Sequence, residues 1–215
     1  LDSRGLAFTA LGSKDLDITD SKNVIGFIAQ NSPTVIINCA AWTDVDGAES
    51  NEESAANVNS RGAENLAKAA ESTGARLIHI STDYVFSGES QKPFEVSDQI
   101  DPQSAYGRTK ADGEKKVLIT YPKNSYIVRT AWLYSPWGRN FAKTMINLAL
   151  NSDREVQVVN DQEGQPTSAR DLASQIFQLV ESNSQVGIYH GTNSGAATWF
   201  EFAQTIFDKA GADIG

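Results

Sequence analysis

Short apolar runs alternate with amphipathic stretches along this chain, and that alternation is the feature that most restricts its fold. The runs at residues 35–37, 77–80 and 126–128 are brief, rich in branched side chains and nearly continuous in hydrophobicity. Strands that are buried on both faces of a parallel sheet have this character. Because helical patterns separate the runs, the sequence predicts right-handed βαβ units and an α/β, doubly wound parallel-sheet Rossmann fold.

The predicted helices in the first part of the chain have recognisable ends. The first can be capped by Thr19 or Asp20, and a proline or glycine follows each of the three. The second carries a face of small residues. The predicted spans are 20–30, 50–72 and 104–121, the stops are Pro33, Gly74 and Pro122, and the small face comprises Ala55, Asn59, Gly62, Leu66 and Ala70.

After Tyr134 the pattern changes, without a flexible linker to separate a second domain. We therefore predict a dinucleotide-binding domain over residues 1–134 and, over residues 135–215, a smaller substrate-binding portion interleaved with it. The face formed by Trp199, Phe202, Ile206 and Ala210 is interpreted as ordinary helix packing. Further predicted strands lie at residues 6–11, 155–159 and 187–190, and further helices lie around Phe141–Leu148, over 168–182 and over 198–210.

Composition excludes several classes of protein. The 215 residues carry 27 acidic against 18 basic side chains, a formal charge of −9, which argues against nucleic acid as a partner. No apolar run approaches the roughly 20 residues that span a bilayer, so no membrane partner is expected. The one cysteine, Cys39, cannot form an internal disulfide, which suits a reducing cytoplasm, and it is expected to be an inert core thiol.

An acidic stretch follows the first apolar run. It is interpreted as a solvated loop and helix start, where carboxylates complement the helix dipole, and no metal site is predicted from it. A structural magnesium ion is likewise not predicted. The stretch comprises Asp44, Asp46, Glu49, Glu52 and Glu53.

Two residues on the third predicted helix have a spacing that suits proton transfer. Tyr106 and Lys110 are four residues apart, so they share one face of that helix. A free tyrosine has a pKa of about 10, and a nearby ammonium group is expected to lower that pKa toward neutrality. Thr82, at the end of the run at 77–80, can hold a substrate carbonyl against the phenol by a hydrogen bond. Such a set can move a proton while a hydride is transferred.

The order of these motifs resembles the extended short-chain dehydrogenase/reductase family and, within it, the dTDP-4-dehydrorhamnose reductases. A lone Tyr-x-x-x-Lys is common by chance, but here it follows a strand-tip Ser-Thr-Asp within βαβ order. The resemblance covers nearly the whole chain. Its motifs are residues 38–49 (NCAAWTDVDGAE), 58–62 (VNSRG), 81–88 (STDYVFSG), 106–110 (YGRTK), 129–134 (RTAWLY), 140–145 (NFAKTM) and 161–167 (DQEGQPT).

The resemblance implies the NAD(P)H-dependent reduction of the C4 ketone of dTDP-4-dehydro-L-rhamnose, a nucleotide sugar, to dTDP-L-rhamnose for cell-surface glycans. Tyr106 would donate the proton, Lys110 would tune it and bind the nicotinamide ribose, and Thr82 would hold the substrate oxygen. The resemblance also allows a homodimer. The cofactor-lining positions would be Ala41, Trp42, Thr43, Ile80, Asp17 and Ile18, together with Tyr106 and Lys110; the substrate-side positions would be Thr82, Asp83, Trp132, Val45, Asn140 and Arg139.

The cofactor preference is predicted from the segment after residue 11. A site specific for NAD places a carboxylate after the second strand, but here Gly12, Ser13 and Lys14 come first. A small residue, a hydroxyl and a cation suit the 2′-phosphate of NADPH, although Asp15 or Asp17 would favour NADH. The glycine-rich loop of the family is expected to precede Leu1, and the family's C-terminal end is expected to follow Gly215.

Three alternative functions are considered, and each is compared with the residues of this sequence. Sugar-nucleotide 4,6-dehydratases place a glutamate after Thr-Asp, where this chain has Tyr84. An epimerase would differ in residues 129–134, and a reductase of another nucleotide sugar remains a further alternative. A non-catalytic NADP-binding regulator, similar to the regulatory subunit of methionine adenosyltransferase, would bind the cofactor without turnover; the complete set of Thr82, Tyr106 and Lys110 favours catalysis.

Overall fold

The protein is described by a computed structural model covering residues 5–152 and 155–211. The described residues form two compact units. The first comprises residues 5–128 with 185–189, and the second comprises the remaining described residues from 129 onward. Each unit is described by itself below.

The central sheet contains the three predicted apolar runs, which confirms the α/β fold class. Its strands are β1 (Val35–Asn38), β2 (Arg76–Thr82), β3 (Ser125–Thr130) and β7 (Gly187–His190). They lie in the order β1-β2-β3-β7, and β1 runs parallel to β2, with Val35 opposite Arg76 and Asn38 opposite His79.

Helices cover the sheet of the first unit and bury its apolar side chains. Val24 and Leu66, from two of these helices, pack with Leu77 and Ile127 of the sheet in one buried cluster. The Asp20 carboxylate caps the first helix by accepting from the Asn23 amide at 3.0 Å. The helices are α1 (Ser21–Asn31), α2 (Val45–Ser50), α3 (Glu52–Ala56), α4 (Ala63–Thr73) and α5 (Ala105–Thr120).

The prediction of one continuous helix over residues 50–72 is wrong, because the structure divides this span. The chain leaves helical geometry at Asn51, whose φ is −138°, and a π-helical turn, Asn57–Gly62, separates α3 from α4. This wider turn directs Asn59 inward, where its side chain binds residues that are distant in sequence. The predicted small face is nevertheless buried throughout, and Gly74 ends α4 with a φ of +75° as expected.

Two predicted strands are absent from the part of the chain that the structure describes. Residues 6–11 have no strand partner among the described residues, and Phe8 is 52% exposed. Residues 155–159 also lack strand geometry, although the Val159 carbonyl accepts a hydrogen bond from the Phe200 amide. An apolar run becomes a strand only when a neighbouring strand can pair with it, and short sequence patterns do not reveal that partner.

The second unit contains two small two-stranded sheets and three helices. Leu133 pairs in parallel with Thr167, and Glu163 pairs antiparallel with Thr198. The helix starts predicted near Phe141 and at Thr198 are confirmed within one residue. The elements are β4 (Leu133–Tyr134), α6 (Phe141–Asn151), β5 (Glu163–Gly164), β6 (Thr167–Ser168), α7 (Ala169–Glu181), β8 (Ala197–Thr198) and α8 (Trp199–Ala210).

None of the helices in the described ranges combines the length and apolar character needed to cross a membrane.

Helix α5 approaches its neighbours closely at two glycines. A Cβ atom on Gly107 would lie 2.3 Å from the Tyr84 carbonyl oxygen, and one on Gly113 would lie 2.2 Å from the Asn59 carbonyl oxygen. Both obstacles are backbone atoms, which cannot rotate away. The position of α5 therefore requires that these two residues have no side chain.

We expect Gly113→Ala to lower the free energy of unfolding by about 1–3 kcal/mol, because the added methyl group forces α5 away from the π-helical turn. Urea denaturation measures the change. Gly26→Ala is the matched control, since a Cβ there meets nothing within 4 Å; helix propensity makes it neutral or stabilising by up to about 1 kcal/mol. Equal stability of Gly113→Ala and the parent protein would contradict the close approach.

Candidate active site

The carboxyl end of β2 carries two polar residues in direct contact. The Thr82 hydroxyl donates to the Asp83 carboxylate at 3.0 Å and accepts from the Tyr84 amide at 3.2 Å. It thereby caps the short 3₁₀ turn Asp83–Val85. Burial raises the pKa of Asp83, and the hydrogen bond from Thr82 opposes that rise. Thr82 is itself buried, so its hydroxyl has a fixed position at the strand end.

Tyr106 lies on the first turn of α5, beside this strand end. Its ring meets the ring of Tyr84 edge-on, with centroids 5.6 Å apart. Burial raises the pKa of Tyr106 to about 12, a hydrogen bond with Thr82 lowers it in part, and the charges of Asp83 and Tyr84 raise it further. The expected lowering of this pKa toward neutrality is therefore wrong, because burial outweighs the nearby ammonium group. At neutral pH the phenol is protonated and can donate.

Lys110 reaches from α5 back to the sheet. Its Nζ donates to the Ile80 carbonyl oxygen at 2.6 Å, and the side chain is 2% exposed. Burial lowers the pKa of Lys110 to about 8, while Glu114 and Cys39 oppose that change. The side chain thus holds a buried cation one helical turn from Tyr106 and fixes α5 against β2.

The loop after β1 is shaped by buried amide side chains. The Asn38 side chain accepts from the Ala40 amide at 3.0 Å and pairs with His79 Nδ1 at 2.9 Å. Ala40 is exposed and Ala41 partly exposed, and their methyl groups leave the backbone accessible. Cys39 is exposed, so the expected core thiol is wrong; the residue lies beyond the last residue of β1.

Asn59 connects this loop to α5, a role that the sequence did not indicate. Its Oδ1 accepts from the Trp42 amide at 2.8 Å, while its Nδ2 donates to the Trp42 carbonyl at 3.2 Å and to the Thr109 hydroxyl at 3.0 Å. The Thr109 hydroxyl in turn donates to the Tyr106 carbonyl at 2.9 Å. The sequence signal that could have indicated this role was a single amide side chain on a helix face of otherwise small, apolar residues. Trp42 and Tyr106 also pack on one cluster of alanines.

The acidic stretch after the loop holds the start of α5. Glu49 accepts from the Ala105 amide at 2.7 Å. Glu52 receives two hydrogen bonds from the Arg108 guanidinium, at 2.8 and 2.9 Å. Asp44 caps α2 by accepting from the Gly47 amide. These carboxylates accept hydrogen bonds that fix the starts of α2 and α5. Val45, a substrate-side candidate, is the first residue of the helix that Asp44 caps.

The segment before α1 forms a turn with defined carboxylate contacts. Asp15 folds back to accept from the Gly12 amide at 2.8 Å, and Asp17 accepts from both the amide and the hydroxyl of Thr19. Ser13 and Lys14 are exposed between them. Ile18, expected to line the cofactor, packs its side chain at Gly62 and the core cluster.

Three substrate-side candidates, Trp132, Arg139 and Asn140, lie in the second unit. Asn140 caps α6 by accepting from the Lys143 amide at 3.1 Å and donates to the Ser135 carbonyl at 2.8 Å. Trp132 has a left-handed backbone, with φ of +44°, and stacks on Trp199. Arg139 and Thr43 are exposed.

The residues of the first unit fit a nicotinamide dinucleotide. Ligands of open α/β sheets bind at the carboxyl ends of the strands. Small residues at that end of β1 allow the ligand to approach the backbone closely. The buried Lys110 ammonium lies at the neighbouring strand end, and the exposed Ser13 and Lys14 suit a phosphate. Tyr106 and Thr82 together can donate a proton to, and bind, a carbonyl oxygen.

Comparisons with known proteins agree with this chemistry. The family model described as RmlD substrate binding domain matches residues 1–214. The dTDP-4-dehydrorhamnose reductase of Streptomyces griseus is 46% identical over 99% of this chain and 71% of its own length. The dTDP-4-keto-6-deoxy-D-glucose reductase of Streptomyces niveus is 46% identical over 96% of this chain and 71% of its own length.

A solved structure shows the same fold. The dTDP-4-dehydrorhamnose reductase of Bacillus anthracis, in complex with NADP, superposes with a TM-score of 0.95 at 39% identity. The match covers 100% of this chain and 76% of that one.

The buried Lys110 gives a pH dependence with a defined sign. Its pKa is about 8 in the folded protein, against 10.5 for an ordinary lysine. Between these values the unfolded chain binds more protons than the folded chain at this position, so the free energy of unfolding rises with pH. From pH 7.5 to 9.5 we expect the parent protein to gain about 2 kcal/mol relative to Lys110→Met, measured by urea denaturation at each pH.

Lys115→Met is the matched control, because Lys115 lies exposed on the same helix. Its stability should follow that of the parent protein across the same pH range. Parallel pH dependences of the parent and Lys110→Met would contradict the buried cation.

Proposed function

The chain belongs to the RmlD substrate binding domain family, and from that premise we propose that it is an NAD(P)H-dependent reductase of the C4 ketone of dTDP-4-dehydro-L-rhamnose. The product is dTDP-L-rhamnose, a nucleotide sugar for cell-surface polysaccharides. The observation that carries this proposal is the contact between Tyr106 and Thr82 at the end of β2, with the Lys110 cation held beside it.

The proposed chemistry gives each residue one task. NADPH, when bound, supplies the hydride that forms the new C–H bond at C4. Thr82 turns its hydroxyl proton from the Asp83 carboxylate to the C4 oxygen, and this hydrogen bond fixes the carbonyl beside the phenol. Tyr106 then gives its proton to that oxygen as negative charge develops there. Lys110 binds the nicotinamide ribose and stabilises the phenolate that remains, and Asp83 contacts the sugar.

Two of these assignments, those of Tyr106 and Lys110, depend on charge state. A reduction requires an acid that is protonated at neutral pH, and Tyr106, whose pKa is raised to about 12, keeps its proton there. The Lys110 cation, one helical turn from Tyr106, would stabilise the product phenolate more than the neutral phenol. Lys110 is fixed in advance by its bond to the Ile80 carbonyl, so little reorganisation accompanies proton transfer.

NADPH is the proposed preferred cofactor, with NADH as the weaker alternative. Asp15 uses its carboxylate within its own turn, and Asp17 is bound by Thr19. Ser13 and Lys14 stay exposed for a 2′-phosphate. The NADP complex of the Bacillus anthracis relative supports this preference. Ala41, Trp42, Thr43, Ile80, Asp17 and Ile18 are the proposed cofactor-lining residues.

The proposed substrate class is a dTDP-activated 6-deoxy sugar with a ketone at C4. Both Streptomyces relatives carry such a substrate in their names, which supports the ketone position more firmly than the rest of the sugar. Trp132, Val45 and Asn140 are the proposed sugar-side residues.

We assign dinucleotide binding to residues 1–134 and mainly substrate binding to 135–215. A cytoplasmic location and a homodimer complete the proposal; light scattering tests the dimer.

Tyr106→Phe is expected to lower turnover about 10²–10⁴-fold, because only the transferable proton is removed. NADPH affinity should stay within about twofold of the parent value. The measurement is NADPH absorbance with dTDP-4-dehydro-L-rhamnose, together with fluorescence titration of NADPH. Tyr121→Phe is the matched control, since it removes a hydroxyl at the other end of α5. Equal turnover of Tyr106→Phe and the parent would rule out Tyr106 as the acid.

The parent protein separates the alternatives in the same assay. NADPH oxidation with this substrate supports the reductase. Binding of NADPH without oxidation would favour the non-catalytic regulator, or a reductase or epimerase of another nucleotide sugar.

A further inference from the structure

Trp132 has a backbone conformation that its own side chain disfavours. Its φ is +44°, and the only other described non-glycine residue with a positive φ is Ser32. A bulky aromatic residue rarely adopts this region, and it persists there only when neighbouring groups hold it. One such group is the Thr167 amide, which donates to the Trp132 carbonyl at 3.2 Å. Strain of this kind concentrates at functional sites.

Trp199 holds the indole of Trp132. The two rings stack with centroids 3.6 Å apart and an angle of 11° between their planes. Gly164 meets the same indole, since a Cβ there would lie 2.4 Å from Cε2 and 2.8 Å from Nε1 of Trp132. The indole is therefore fixed by one aromatic neighbour and by a backbone position that tolerates no side chain.

Trp199 is itself firmly positioned. It is the first residue of α8, directly after Thr198. The Thr198 hydroxyl accepts from the Glu201 amide at 3.1 Å, and the Glu201 carboxylate accepts from the Thr198 amide at 2.8 Å, which completes a capping box. Thr198 also donates to the Asn160 side chain at 2.7 Å. The start of α8 thus presents Trp199 at a fixed place.

Trp199 also contacts the start of α6. Its ring lies 4.5 Å, centroid to centroid, from the ring of Phe141, which directly follows Asn140. Trp132 and Asn140 are both proposed sugar-side residues. Trp132 contacts the Trp199 indole directly, and Asn140 directly precedes a residue that contacts it. One side chain, distant in sequence from both, therefore supports two positions that lie eight residues apart.

We propose that Trp199 is a positioning residue for sugar recognition, which holds Trp132 in its left-handed conformation and supports the Asn140 end of α6. This inference rests on the proposed function, because it takes Trp132 as a sugar-side residue. Trp199 does not act on the reacting atoms. Its effect falls on the affinity for the nucleotide sugar, and the affinity for NADPH and the proton transfer by Tyr106 do not depend on it.

The test compares Trp199→Leu and Trp199→Phe in the whole protein. We expect Trp199→Leu to raise the KM for dTDP-4-dehydro-L-rhamnose about tenfold, which is the size of effect that loss of an aromatic pair gives. The KM for NADPH should stay within about twofold. Trp199→Phe keeps an aromatic ring and should recover part of the loss. Trp137→Leu is the matched control, because Trp137 is 75% exposed in the same unit and outside the stack.

A spectroscopic signal checks the stack without using activity. Two indoles stacked at this distance couple their electronic transitions, and a twist between the two transition dipoles turns that coupling into a paired band in the circular dichroism spectrum. Trp199→Phe and Trp132→Phe should each abolish that band, and Trp137→Phe should keep it. Gly164→Ala presses on Trp132 while leaving Trp199 in place, so it should raise the sugar KM as well, even if Trp199→Leu fails to fold.

The outcomes separate this inference from the proposed function. An unchanged sugar KM in both Trp199→Leu and Gly164→Ala would overturn the inference and leave the reductase intact. An equal rise of the sugar KM and the NADPH KM would also overturn it, since that indicates a general structural role. A parent protein that does not reduce the ketone overturns the proposed function, and this is seen before any variant is made.

Discussion

The close approach of helix α5 to its neighbours at Gly107 and Gly113 is the constraint on which the candidate active site depends. At both positions a backbone carbonyl, of Tyr84 or of Asn59, occupies the place that a side chain would take. The helix therefore lies near enough for Tyr106 to meet Thr82 and for Lys110 to reach the Ile80 carbonyl. The rest of the first unit supports that approach: Glu49 and Glu52 hold the start of α5, and Asn59 ties its first turns to the loop after β1.

Burial shifts the pKa values of Tyr106 and Lys110 in opposite directions. It raises the pKa of Tyr106 to about 12 and lowers that of Lys110 to about 8, because each neutral form needs less hydration than the charged one. At neutral pH the phenol of Tyr106 is therefore protonated, and Lys110 keeps its positive charge one helical turn away. A phenol beside a buried cation is the arrangement that a proton donor to a ketone oxygen needs, because the cation stabilises the negative charge that proton transfer leaves behind.

Periodicity and spacing were sufficient to predict the strands of the central sheet, most helix ends, and the position of Tyr106 and Lys110 on one face of α5. The apolar runs, Pro33, Gly74 and the four-residue spacing of Tyr106 and Lys110 are local patterns, and local patterns survive folding. What sequence could not provide depends on partners far along the chain. Asn59 gains its role through Trp42 and Thr109, residues 155–159 lack a strand partner, and the strain at Trp132 is held by Thr167 and Trp199. Likewise, the pKa of Tyr106 follows its burial more than its distance from Lys110.

The central claim is that a hydride is delivered to a ketone held by Thr82 and Tyr106. The most direct test follows the hydrogen atom that is transferred from NADPH. The reaction is run with dTDP-4-dehydro-L-rhamnose and NADPH that carries deuterium at both C4 positions of the nicotinamide, and the product is examined by NMR. The proposed chemistry predicts one deuterium, at C4 of the 6-deoxy sugar, with the hydroxyl hydrogen coming from the protein and solvent. Deuterium at another carbon, or a product that contains none, would contradict it.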